Sequence, residues 1–182
     1  MKNLFCALFF VVITANSFAQ KSDYSILKIS DSLKENANAV LRLDQMDIVI
    51  ASQRSMNIKV QRVVSVLNNK GLNDIDAFQH YDKTTSIKSI EAVVYDAFGN
   101  EIKKIKRKDF KDQSAVSGST LFSDNRVLYL DYTPISYPFT IVYTSEVETS
   151  NTAFIPQWYF LGGYYLSVEK CALNVTFPKE LG

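Results

Sequence analysis

Over most of this chain apolar residues recur at every second position, the period of a β-strand with one buried and one wet face. In FTIVYTSEV, Phe139, Ile141, Tyr143 and Val147 share a face against Thr140, Thr144 and Glu146; in RVLYLDYT, Leu128, Leu130 and Tyr132 do the same. Near the end Cys171, Leu173, Val175 and Phe177 oppose Lys170, Asn174 and Thr176, which predicts a strand with Cys171 on the core side. NAVLRLDQMDIVIAS and MNIKVQRVVSVLNNKG are rich in Val and Ile and predict two more strands, the second closing in a turn at Asn68-Asn69-Lys70-Gly71. One segment departs from this pattern: in SDSLKENANAV the spacing of Ser32 and Glu35 fits a capping box and predicts a short helix over 31–36. About eight to ten strands joined by short turns predict an all-β chain, an antiparallel β-sandwich with one short N-terminal helix. No repeat or linker divides residues 20–182, so they read as a single domain.

The start of the chain does not alternate. Lys2 precedes an apolar run from Leu4 to Ile13, and Ser17-Phe18-Ala19 follows. That run is shorter than the roughly 20 residues a membrane span needs, and it fits a signal peptide, 1–19, cleaved after Ala19. The expected location is therefore outside the inner membrane, in the periplasm or the outer cell envelope. Cys6 lies early in the run instead of at its end, which argues against a lipid-modified N-terminus. No later stretch is long and apolar enough for a membrane span.

Of 20 Lys and Arg, Lys2 leaves with the leader, and the remainder balances the 19 Asp and Glu. A domain without surplus positive charge is a poor partner for nucleic acid. Cys171 would be the one cysteine left, so no internal disulfide can form. The 47% hydrophobic content and four prolines support a filled core.

The densest charge is in YDAFGNEIKKIKRKDFKDQ, which reads as a hairpin around Asp96-Ala97-Phe98-Gly99-Asn100, with Gly99 in the left-handed position. Beyond the turn Lys104, Lys106 and Lys108 follow Ile102 on one face, and Lys103, Ile105 and Arg107 share the other. Lysines on both sides suit an edge strand protected against pairing with another molecule; a site for a polyanion or anionic lipid is the competing reading. His80 is the sole histidine. A hydrolase of the Cys-His kind would have to pair it with Cys171, but a thiol on a core face stays protonated, so we expect a loop histidine, a structural cysteine and no catalytic residue. One His and one Cys are too few for zinc, Asp82, Asp124, Asp131 and Glu146 are scattered singly, and no nucleotide-binding glycine pattern occurs, so no metal or cofactor is expected. FIPQWYFLGGYYLSVEK concentrates aromatic residues from Phe154 to Tyr165. Trp158, Tyr159, Tyr164 and Tyr165 are the candidates for contact with a ligand or a neighbouring domain: exposed rings stack on sugars, while packed rings fill a core or an interdomain interface. Gly162-Gly163 would then turn the chain into its last strand.

The ordered segments NANAVLRLDQ, QRVVSVLNNKG, YDKTTSIKSIEAVVYDAFGNEIKKIKRKDFKDQSA, LFSDNRVLYLDY, YPFTIVYTSEV and WYFLGGYYLSVEK resemble the DUF3857 domain over nearly all of 24–178. That resemblance implies a β-sandwich in an exported Bacteroidota protein, placed before a transglutaminase-like domain. Any Cys-His-Asp chemistry would belong to that downstream domain and none to His80 or Cys171. The implied role is a non-catalytic accessory domain that packs against the transglutaminase-like domain of the same polypeptide or presents substrate to it; the alternative is an independent module binding an envelope glycan or polysaccharide, and the partner expected besides the downstream domain is an envelope glycan or peptide. Tyr81, Asp82, Gly99, Asp124, Arg126, Tyr137 and Pro138 would define the fold, with Asp124 and Arg126 an internal ion pair. The strand that runs into Phe177-Pro178 stops abruptly at Gly182, which points to a longer protein.

Overall fold

The computed structural model describes residues 24–115 and 124–181; the expected leader lies outside them. Among the described residues ten strands form two sheets. The large sheet has the order β10-β1-β2-β8-β4-β5, from Cys171–Thr176, Ala39–Ser52, Ser55–Val66, Phe139–Thr149, Thr85–Tyr95 and Glu101–Lys106, and β9 (Leu166–Val168) also pairs with β1. The small sheet has the order β3-β7-β6, from Phe78–Tyr81, Arg126–Tyr129 and Lys111–Ser114. One core of Val, Ile, Leu and aromatic side chains joins the two sheets, so the all-β layered architecture follows the alternation of the sequence. Among the described residues no helix is long and apolar enough to cross a membrane.

The strands are antiparallel except on one side of β1, where β9 and β10 both run parallel to it. They occupy one lane in succession. The break between them at Glu169 and Lys170 lies beside the register shift between Leu41 and Leu43, where Arg42 reaches Glu169 at 3.5 Å. Because β8 is antiparallel to β2 and β2 to β1, β8 runs in the same direction as β9 and β10. A parallel return cannot be made by a tight turn; the chain must travel back along the sheet. Residues 150–165 are that return, and they contain no helix or strand.

Local chemistry shapes the other connections. Asp96 accepts the amides of Phe98 and Asn100 at 2.9 Å, and Gly99 takes φ +87°, so the predicted hairpin turn forms as expected. Its second strand, β5, is the edge of the large sheet, with Ile105 buried and Lys104 paired to Glu91 at 3.1 Å; it ends at Lys106, so Arg107 and Lys108 stand in a 3₁₀ turn and not on the strand faces expected of them. Asn68 caps a 3₁₀ helix, Asn69–Ile75, that extends the predicted turn. A Cβ at Gly71 would lie 2.3 Å from the Asn38 carbonyl oxygen, so only glycine fits there.

Several expectations about these elements need correction. The helix α1, Asp31–Lys34, starts at Ser30, which puts Ser32 inside it and Glu35 at its end, so the Ser32–Glu35 capping box does not form; the Ser30 and Ser32 hydroxyls bond each other at 2.9 Å. Thr140 is not on a wet face. The N-terminal segment covers that end of the outer face, and Thr140 is fully buried, bonding Ser65 at 2.8 Å and donating to the Tyr24 carbonyl at 3.0 Å. His80 is in strand β3 and not in a loop. The face of Cys171, Leu173, Val175 and Phe177 is only partly covered: Cys171 packs at the core margin, whereas the other three are exposed because β10 is an edge strand with a neighbour on one side only.

Candidate functional site

The inner face of the large sheet is closed by two different covers. Over β8 and β4 lies the small sheet: the Tyr143 hydroxyl donates to the Phe78 carbonyl at 2.8 Å, Ser145 bonds Gln79 at 3.0 Å, and the Phe110 and Tyr143 rings are 6.4 Å apart. Burial pushes the Tyr143 hydroxyl up to about 12, so it stays a neutral donor. On the side of β1 and β2 the cover is the 150–165 strap. It leaves β8 through Ser150, whose amide donates to Thr84 at 3.0 Å, and it rejoins the fold where the Asn38 amide donates to Tyr165 at 2.7 Å. Tyr165, at φ +62°, makes the turn that Gly162-Gly163 was expected to make; neither glycine has a positive φ. Among the described residues no backbone–backbone hydrogen bond ties 154–163 to either sheet.

Without ladder bonds the strap settles by side chains, and most of these face outward. Tyr164 is 95% exposed, Phe154 77% and Tyr159 68%, and Phe160, Leu161 and Tyr165 are also mostly exposed. Trp158 is the exception. It is half-buried, lines the space beneath the strap, and its indole N–H is screened from solvent with no acceptor from the protein. An unpaired buried donor costs about 1–3 kcal/mol, which a bound acceptor would recover.

Beneath the strap is a cavity of about 660 Å³. Met46, Ile58, Val60 and Val147 form its aliphatic floor, Phe78, Gln79 and His80 one wall, and Pro156, Trp158 and Leu161 the roof. A second space of about 460 Å³ shares Ile58, Gln79, His80, Val147 and Pro156 with it, so the two are parts of one groove between the layers. The volume is in the range of ordinary ligand sites.

One end of the groove is polar. Cys171, Asp44, Arg62 and Tyr143 pair laterally in one row across β10, β1, β2 and β8. Arg62 donates to Asp44 at 2.7 Å and to the carbonyls of Ile75 and Asp74 at 3.2 and 3.3 Å, which anchors the end of the 69–75 helix over the sheet. Burial pushes the Asp44 carboxyl above its ordinary range, the Arg62 guanidinium pulls it down, and the nearby Asp76 carboxylate pushes it up again, with a net rise. Asp76 itself, left-handed at φ +51°, lines the groove with its carboxylate unpaired among the described residues. The sequence reading missed Asp44, Arg62 and Asp76. The available signal was a charged residue inside each of two Val- and Ile-rich strands.

The other candidates scatter. Cys171 donates to the Phe160 carbonyl at 3.8 Å and not to His80, and burial raises its thiol. His80 is exposed and stacks edge-on against Phe78 at 5.3 Å. Among the described residues no group of three or more His, Cys, Asp or Glu could hold a metal ion. Asp124 pairs with Lys83 and not with Arg126; Arg126 instead bonds Asp112 and the Tyr81 hydroxyl at 3.1 and 3.0 Å across the small sheet. Asp82 caps the turn into β4 through the amides of Thr84 and Thr85 at 2.7 and 2.8 Å.

A solved structure with a similar fold is a Parabacteroides distasonis protein described as a "putative protease". It has a TM-score of 0.61 at 12% sequence identity, and the similarity covers 80% of this chain but 30% of that one. This chain thus corresponds to less than a third of that protein's length. No curated protein matches the sequence. The family profile for DUF3857, described as a domain of unknown function with a solved structure, matches residues 52–182, and the chain belongs to that family.

Proposed function

We propose that this DUF3857 domain is a non-catalytic accessory domain of an exported cell-envelope protein. It packs through the outer face of its strap against a following transglutaminase-like domain of the same polypeptide and holds substrate for it. The observation that carries this reading is the row of exposed rings at Phe154, Tyr159, Phe160, Tyr164 and Tyr165, on a segment held by few hydrogen bonds. An uncovered aromatic row of this kind marks an interaction surface. Two further observations support it. The similar Parabacteroides protein is more than three times as long as its matching region, and the Cys171 thiol donates to the Phe160 carbonyl where burial disfavours its thiolate.

The test compares this chain with a polypeptide extended through the following region. The extended protein should cleave or cross-link peptides, and the chain alone should do neither. Activity in the chain alone would overturn the proposal, as would an extended protein in which Tyr159→Ser with Tyr164→Ser leaves the two parts as tightly associated as before.

A further inference from the structure

Of the strap's rings, Tyr164 and Tyr165 are mostly exposed and do not line the groove, while Trp158 and one side of the largely exposed Tyr159 border it. The groove offers three things to an occupant. Its floor, Met46, Ile58, Val60 and Val147, is aliphatic and suits a branched side chain better than a sugar ring, which stacks on flat aromatic faces. Its roof holds one donor, the Trp158 indole N–H, which no acceptor among the described residues takes and which is screened from solvent, so an occupant reaches it with a small shift of the strap. Its polar end is acidic in effect. The Arg62 guanidinium is committed to Asp44 and to two carbonyls, while the Asp76 carboxylate stands free among the described residues. An anion would meet the exposed Asp76 carboxylate with no uncommitted Lys or Arg among the described lining residues to offset it, whereas an ammonium group would be held there by a charge-assisted hydrogen bond.

We propose that this groove binds the amino-terminal end of a peptide, with the α-ammonium on Asp76, an aliphatic first side chain on the floor, and a main-chain carbonyl accepting the Trp158 N–H. The inference names what the domain would hold for its neighbour, and to that extent it rests on the proposed function. The surfaces overlap at Phe154 and Tyr159, which border the groove, but Tyr164 and Tyr165 lie outside it and belong to the docking face alone. Polar and apolar demands agree with a peptide, which supplies a cation, an aliphatic group and an acceptor within one residue. A fatty acid would supply the wrong charge, and a neutral glycan would lack both the cation and the aliphatic group.

Trp158 is the only tryptophan in the chain, so its indole N–H gives a single resonance that reports on the groove. The ¹⁵N-labelled chain is titrated with the amidated tripeptide Leu-Ala-Ala, with its N-acetylated form, with a chitooligosaccharide and with decanoate. The free-amine peptide should shift the indole resonance and bind about tenfold or more tightly than the acetylated form, the factor expected of one charge-assisted hydrogen bond. Asp76→Asn keeps a residue that tolerates the left-handed backbone and should abolish that preference without altering the remaining resonances. Trp158→Phe keeps a ring in the roof but removes the donor, and should weaken both peptides, read from the floor methyl resonances. An indole resonance unmoved by either peptide, equal affinity for the two forms, or a response to the oligosaccharide or decanoate alone would each overturn the proposal. Tyr164→Ser should leave peptide binding unchanged even if it abolishes docking, so loss of one function is distinguishable from loss of the other.

Discussion

The small sheet and the strap cover neighbouring parts of the same face, and they do it by different physics. The small sheet is a closed cover. Its strands satisfy one another's backbone groups, and Tyr143, Ser145, Leu128 and Phe110 fill the space beneath with hydrogen bonds and buried apolar surface. The strap is an open cover. It exists because β9 and β10 return parallel to β8, so it crosses the sheet without a ladder to join, leaving a groove below and exposed rings above. A cover built of paired strands adds stability; a cover built of a crossover leaves surface available for binding.

The largest effect should come from the polar row between the two covers. Arg62→Met leaves Asp44 buried without its partner and should cost about 3–5 kcal/mol near pH 8. The sign follows from the carboxyl. Its folded pKa is raised by burial, so the stability linked to its proton is present below the unfolded value and is lost as pH rises through the folded one. Removing the guanidinium raises the folded value further, so urea unfolding should show a smaller loss at pH 5 than at pH 8; equal losses would show that the pair does not hold the row together. Next in size, Leu128→Ala beneath the small sheet should cost about 2–5 kcal/mol by the same assay, since it opens a cavity in a closed core. Tyr164→Ser on the strap should stay within about 0.5 kcal/mol. Comparable losses at both positions would remove the contrast between the covers.

The two edges of the large sheet sharpen the same contrast. The β5 edge carries lysines, whereas β10, Cys171–Thr176, carries no charge and exposes Leu173 and Val175. Changing Lys104 and Lys106 of β5, with Lys108 of the adjoining 3₁₀ turn, to Gln should alter stability by less than about 1 kcal/mol, since surface ion pairs such as Lys104 with Glu91 are weak. It should nonetheless raise self-association in sedimentation, because the charge protects a free edge. A variant as monomeric as the parent would assign those lysines no protective role.

Much of the fold was legible because it is local. The alternation in Phe139–Thr149, the Asp96 turn with its left-handed Gly99 and the lysine-bearing edge strand each follow from neighbouring residues. What the sequence did not reveal depends on distant partners. Thr140 is buried because Tyr24 covers it, Cys171 lies at the core margin because β10 has one neighbour, and Asp124 chooses Lys83 over the nearby Arg126. The aromatic run was visible as a cluster, but which rings border the groove, Trp158 and Tyr159, and which stand outside it, Tyr164 and Tyr165, follows from the parallel return of β9, which no local pattern encodes. Asp44 and Arg62 look out of place in apolar strands until the register sets them side by side.

Hydrogen exchange, read residue by residue in the chain alone and in the extended polypeptide, tests whether the strap is the surface that the proposed following domain would cover. The amides of 154–165 should exchange quickly in the chain alone and become protected by at least tenfold in the extended protein, while those of β3, β7 and β8 are protected in both. A strap that is already as protected as β8 in the chain alone, or one whose exchange is unchanged by the extension, would contradict the assignment of this open cover as the docking face.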